Sequence, residues 1–182
     1  IKRSKTDIYT TSNRNEARNI AAQSLVLLKN QNQVLPLKKS GTIALIGPLA
    51  DAKENMSGTW SVATKLENSI SLLSGVKTVA GNSATILYAK GSNLDYDAAF
   101  EERATMFGKT LHRDHRSDQE LLAEALKIAN QADVIVAALG ESAELSGESS
   151  SRTNLEIPKV QKDLLNELVK TGKPVVLLLL RK

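Results

Sequence analysis

Between Gly140 and Pro158 the chain carries Glu141, Glu144 and Glu148 together with Ser142, Ser146, Ser149, Ser150, Ser151 and Arg152. Carboxylates interspersed with hydroxyls and followed by a guanidinium suit proton transfer: one carboxyl group on a pliable arm reaches into a neighbouring cleft, and Gly147 beside Glu148 gives the arm that freedom. The same acids could hold a hard cation, although the Asp/Asn alternation of a calcium loop is missing. They could also do no more than cap the helix that follows. The length of the stretch argues for a function, because a strand-to-helix connection in an α/β unit usually takes roughly 2–6 residues. Its location argues the same way. The apolar run Val134-Ile135-Val136-Ala137-Ala138-Leu139-Gly140 predicts a strand buried on both faces of a parallel sheet. Open α/β sheets bind ligands just beyond such carboxyl ends.

Other candidate residues fare differently. Ile46-Gly47-Pro48-Leu49-Ala50-Asp51 ends an earlier apolar run but is a poor phosphate loop. Pro48 has no N–H to donate, and no Gly-Lys-Ser/Thr follows. Asp51 is then a turn residue or an acceptor for a sugar hydroxyl. Trp60, the single tryptophan, lies among Asn55, Ser57, Gly58, Thr59 and Ser61. A lone tryptophan is usually core, yet a flat apolar ring in a polar stretch also suits the apolar face of a sugar. His112 and His115 have metal-ligand spacing but no third ligand nearby, and Arg113 and Arg116 repel a cation, so a solvated loop is expected and no metal site.

Composition narrows the classes. A hydrophobic content of 41% with 24% charged residues over 182 residues suits one ordinary globular domain or slightly more. Aromatics make up only 3%, against a nucleic-acid stacking platform. The net charge of +4 is spread without a basic run, so no nucleic-acid partner is expected. No stretch approaches the ~20 apolar residues of a membrane span, and none is expected. With no cysteine, neither disulfides nor thiolate metal sites can form.

Periodicity then supplies the elements that must position these residues. Residues 1–12 are polar and aperiodic, a linker. Asn13 with Glu16 predicts a capping box opening a helix through Ala17, Ile20, Ala21, Ser24, Leu27 and Leu28. Thr42 to Gly47 is a first buried strand. A second helix opens at Asn68 or Ser69, carries Ile70, Leu73, Val76 and Ala80, and stops at Gly81. Thr85 to Ala89 is a second strand. Residues 95–106 are weakly helical, and 108–116 form a surface excursion. Ser117 and Glu120 make another capping box before an amphipathic helix through Leu121, Leu122, Ala125, Ile128 and Ala129. Pro158 is placed at the first position of a helix whose stripe is Val160, Leu164, Leu165 and Leu168, with Gly172 as its stop. Val175 to Leu180 is a fourth strand. Four buried strands alternating with helices predict an α/β fold, a three-layer α/β/α sandwich with a mainly parallel sheet. The last strand has nothing after it to cover its edge, so the sandwich is expected to be truncated at its C-terminal side.

Several motifs occur in an order that resembles a known family. They are Leu28-Lys29-Asn30 with Leu35-Pro36-Leu37, Ile46-Gly47-Pro48-Leu49-Ala50-Asp51, Gly58-Thr59-Trp60-Ser61, Tyr88-Ala89-Lys90-Gly91, Ser150-Ser151-Arg152-Thr153 and Thr171-Gly172-Lys173-Pro174-Val175-Val176. From about Asn13 to Leu180 the chain resembles the second domain of glycoside hydrolase family 3, most closely its periplasmic β-glucosidase branch. The resemblance implies residues 1–12 as a linker from an N-terminal β/α barrel and 13–182 as an incomplete α/β sandwich domain. It implies a retaining β-glucosidase that releases terminal glucose from β-glucosides or oligosaccharides without a cofactor. The barrel would carry an aspartate nucleophile, and this domain would supply the general acid/base, which falls on Glu148. Trp60 falls where the family places an aromatic lining the leaving-group side of the pocket, and Arg152 follows the acid/base as a substrate-binding residue. Glu141, directly after the strand, is expected to be held by neighbouring backbone. A periplasmic or secreted location is implied as well. No segment matches the nucleophile motif, so the chain by itself is expected to be inactive. Two other classes remain, a non-catalytic carbohydrate-binding α/β module and a flavodoxin-like nucleotide or response-regulator domain. The latter needs a phosphate loop or an acidic phospho-acceptor pocket, and neither is evident.

Overall fold

A computed structural model describes residues 8–57, 61, 65–103, 112–142, 151 and 153–180. The chain divides into two compact units, Ile1–Pro36 and Leu37–Lys182. In the first unit, helix α1 (Thr11–Gln23) starts earlier than the Asn13–Glu16 pattern predicts. Thr10 is the N-cap, and its hydroxyl accepts the Asn13 amide at 3.2 Å. Asn13 is instead the third helical residue, and its side-chain amide donates back to Ile8 O at 3.0 Å. The helix also stops short of Ser24, Leu27 and Leu28, and no residue of α1 is buried. Further on, the Asn30 side chain bonds both the amide and the carbonyl of Leu35, at 3.0 and 2.9 Å.

The second unit holds the sheet. Strands β1 (Thr42–Ile46), β2 (Thr85–Ala89), β3 (Val134–Gly140) and β4 (Val175–Leu180) pair in the order β2-β1-β3-β4, and every pairing is parallel. The predicted α/β class and parallel sheet are therefore present. Helix α2 (Leu72–Ala80) joins β1 to β2, α3 (Ala98–Arg103) and α4 (Asp118–Gln131) lie between β2 and β3, and α5 (Lys159–Lys170) joins β3 to β4. Right-handed crossovers from a sheet that grows first one way and then the other must put α2 on one face and α4 with α5 on the opposite one.

The two cores confirm this. Ile43, Leu45, Val136 and Ala138 pack with Leu73 of α2. Ala44, Ile46, Ile135, Ala137 and Leu139 pack with Ala125 and Ala129 of α4 and Leu164 and Leu168 of α5. Alternate residues of β1 and β3 thus serve opposite layers, as the period of a strand demands. Each large aliphatic side chain fully removed from water here stabilises the fold by about 1.5–3 kcal/mol.

Only β1 and β3 are buried on both faces. The edge strands β2 and β4 are half-buried, with Leu177 at 45% and Leu179 at 39% exposure, so the expectation of four buried strands fails at the edges. Boundaries shift modestly elsewhere. Ser71 caps α2, accepting the Ser74 amide at 3.2 Å, whereas Asn68 and Ser69 end a separate 3-10 turn. Pro158 is the N-cap of α5 and not its first helical residue, because its ψ of 141° is extended. The Ser117–Glu120 capping box forms in full.

Candidate functional site

In a sheet ordered β2-β1-β3-β4 the chain reverses its direction of growth between β1 and β3, and ligand crevices form beyond the carboxyl ends at such a point. Both central strands end there in glycines with the same unusual φ of +141°, Gly47 and Gly140. A β-carbon on Gly47 would lie 2.1 Å from Ala138 O, and one on Gly140 would lie 1.9 Å from Leu180 O. Neither position admits a side chain, so each strand end lies directly against the backbone of its neighbour.

The end of β3 is fastened by α5. Gln161, fully buried, accepts the Gly140 amide on its Oε1 at 2.9 Å. Its Nε2 donates to Gly140 O at 3.0 Å and to Leu94 O at 2.9 Å. The primary amide thus pairs with Gly140 as a strand residue would, at a level where β1, whose pairing stops at Ile46 opposite Ala137, no longer reaches. Glu141 and Ser142 follow at 5% and 2% exposure, and the Glu141 amide donates to Leu180 O at 3.0 Å. This bond restrains the Glu141 main chain.

The rim beyond β2 is held by charges instead. Glu101 on α3 is buried, and its carboxylate accepts Arg113 at 2.7 Å and the Asp95 amide at 2.7 Å. Asn93 exchanges two hydrogen bonds with the backbone of Asp114, at 2.8 and 3.0 Å. Arg116 pairs with Asp114 at 2.7 Å and with Glu124 at 2.8 Å. The Arg116 hydrogen bonds hold the Asp114 carboxyl well below the usual carboxylate range, and in return raise the Arg116 guanidinium. Lys90 donates to His112 O at 2.7 Å, and burial lowers its pKa although Asp114 and Glu101 pull the other way. Burial, reinforced by Asp51, Glu124 and Asp114, pushes the Tyr88 hydroxyl up to about 12. Part of the predicted surface excursion is therefore tied to the domain.

Glu148, Trp60 and Arg152, the three site residues read from sequence, lie outside the described residues, as does Glu144. Asp51 is exposed in the turn after β1, and both His112 and His115 are exposed. Among the described residues no three His, Asp or Glu side chains gather as a metal would need. Gln161, Asn93, Glu101 and Arg113 were not singled out from sequence. Gln161 had a usable signal: it precedes Leu164 and Leu168 by three and seven residues, which puts a polar amide on the buried stripe of α5.

Comparison with known proteins supplies the context. Residues 25–182 match the family model described as "Glycosyl hydrolase family 3 C-terminal domain". The periplasmic β-glucosidase of Salmonella typhimurium is 45% identical over 175 residues, which are 96% of this chain and 23% of that protein. A β-xylosidase of Formosa agariphila is 32% identical over 94% of this chain and 22% of its own length. The crystal structure of a Listeria innocua β-glucosidase in complex with isofagomine superimposes with a TM-score of 0.74 at 27% identity, covering 94% of this chain and 20% of that one. The chain thus spans about a fifth to a quarter of the length of the relatives it matches.

Proposed function

The chain belongs to the glycosyl hydrolase family 3 C-terminal domain family, and from that premise we propose that it is the second domain of a retaining β-glucosidase, with Glu148 as its general acid/base. In this reading the chain from residue 1 leads in from an N-terminal β/α barrel, with α1 in that first unit, and the sandwich is built by Leu37–Lys182. A retaining mechanism needs two carboxyl groups roughly 5–5.5 Å apart, one protonating the leaving oxygen while the other attacks the anomeric carbon. In this reading Glu148 is the first, the barrel supplies the second, and the substrate is a terminal β-glucoside or oligosaccharide. Trp60 lines the leaving-group side, and Arg152 is a substrate-binding residue. The whole enzyme works in the periplasm or outside the cell, as the name of the Salmonella relative suggests.

One observation carries the proposal: the carboxylate-bearing connection leaves a strand end whose main chain is held on both sides, by Gln161 and by Leu180. A proton donor must be delivered within hydrogen-bond reach of the leaving oxygen, and a fixed stem makes that delivery repeatable. The test is Glu148→Ala in the barrel-containing enzyme. It should slow alkyl glucosides and disaccharides about 100-fold or more while sparing activated aryl glucosides. Azide should restore turnover, giving the β-glucosyl azide, because a small anion attacks the glycosyl-enzyme without a base. Glu144→Ala should show neither signature. The opposite pattern would transfer the role to Glu144. Aryl β-xylosides belong in the same assay, given the 32% identity to a β-xylosidase.

A further inference from the structure

Gln161 has a connectivity that packing alone does not require. It lies in the first turn of α5, just after the long connection that begins beyond Gly140 and ends at Pro158. Its side chain bonds Gly140, so the residue before the connection and the helix after it are joined through one amide. The remaining Nε2 proton goes to Leu94 O, in the segment that follows β2. Both donor hydrogens and the acceptor oxygen are used, and the side chain is fully buried. A glutamate there could donate at most one hydrogen, as the protonated acid, and an aliphatic residue could make none of the three bonds.

We propose that Gln161 is a positioning residue for the glycosidase reaction: it fixes the two ends of the 141–157 connection to one another and to the β2 rim, and so sets where that connection delivers its general acid. This rests on Glu148 being that acid. An untethered stem would let the carboxyl group sample many placements, and a misplacement of about 1 Å can cost up to about 100-fold in rate. The defect should fall on protonation of the leaving group and spare substrates whose leaving group needs no proton.

Two measurements test it, each with Gln161→Met and Gln161→Glu. In hydrogen exchange on the 182-residue chain, the Gly140 and Glu141 amides should exchange at least about tenfold faster in Gln161→Met, while those of residues 135–138 change much less. In the barrel-containing enzyme, kcat/KM for an alkyl β-glucoside should fall about 10–100-fold, against less than about threefold for a dinitrophenyl β-glucoside. Gln161→Glu keeps the length, and burial favours its neutral carboxylic acid, which retains an acceptor for the Gly140 amide and one O–H donor, so it should show the same pattern more weakly. If Gln161→Met does not fold, Gln161→Glu decides both measurements. Unchanged exchange at Gly140 and Glu141, or equal losses on the two substrates in a folded variant, overturns the proposal. Glu148→Gln assayed alongside separates the two ideas. If it leaves the alkyl-to-aryl ratio unchanged the acid/base assignment is wrong, whereas the tethering by Gln161 is still judged by the exchange of Gly140 and Glu141.

Discussion

Two rims of the same sheet are held by different means. Beyond β2 the chain is fastened by ions: Glu101 with Arg113, Asp114 with Arg116, Arg116 with Glu124. Beyond β3 it is fastened by a neutral amide, Gln161, on a backbone already pressed against β4. Depth explains the difference. Gln161 is fully buried, where an unpaired charge would be prohibitive but a satisfied amide is tolerated. Arg116 is 45% exposed and Arg113 25%, so their charges stay partly hydrated. The β2 rim should therefore respond to pH, and its exposed pairs to salt, while the Gln161 fastening has no charge with which to respond to either.

The largest effect is expected at the neutral fastening. Gln161→Ala leaves the buried amide and carbonyl of Gly140 and the carbonyl of Leu94 without their partner, at about 1–3 kcal/mol each. Urea unfolding should show a loss on the order of 3–5 kcal/mol that hardly varies between 0.05 and 0.5 M salt. A loss below about 1 kcal/mol would abolish the distinction between the rims.

Next comes the buried end of the ionic rim. Arg113→Met strands the carboxylate of Glu101, which is 4% exposed but keeps the Asp95 amide. The loss should be about 2–3 kcal/mol, below the full range for a buried pair because Arg113 is partly in water. Adding Glu101→Gln should recover part of it, and a double-mutant cycle measures how much.

Acid sharpens the contrast. The folded-state pKa of Asp114 lies below its ordinary value of 3.8, so its contribution is complete above that value and is lost as pH falls through the depressed one. Unfolding free energies measured between pH 5 and pH 2.5 should fall for the wild type, and Asp114→Asn should flatten part of that fall. A wild-type curve that stays level would remove Asp114 from the account. The smallest effect belongs to the outer pair: Glu124→Gln, opposite the exposed Arg116, should give no resolvable change in the unfolding midpoint at physiological salt.

Much of this was legible beforehand, and the reasons are local. The runs 42–46, 85–89, 134–140 and 175–180 are continuous and apolar, which leaves a strand little alternative, and Ser117 with Glu120 announces α4. Failures came where short-range patterns compete. Thr10 and Asn13 are both good caps, and in the fold Thr10 takes the role while Asn13 donates its amide to that cap from inside the helix. Edge exposure was missed because a run such as 175–180 looks the same in an edge strand as in a central one. Glu101 and Arg113 were invisible for a stronger reason: they pair across a stretch without periodicity, so only the folded chain brings them together. Of the site, the sequence and its resemblance to a family supplied the names Glu148, Trp60 and Arg152. What the fold added was the fixed stem between Gly140 and Gln161.

The strand order also bears on how the domain is made. β1 pairs with β2 on one edge and β3 on the other, and Ile43 faces Val134 in register. β2 starts at Thr85, whereas β3 starts only at Val134, long after β1 starts at Thr42. At a synthesis rate of roughly 5–20 residues per second that interval lasts on the order of 5–20 s. For all of it one edge of β1 lacks its partner, and once β2 is made the growing polypeptide carries a hydrophobic ribbon with that row of amides and carbonyls still unmatched. A pause introduced into the message between the two strands would lengthen that interval, and nascent-chain aggregation should rise with it.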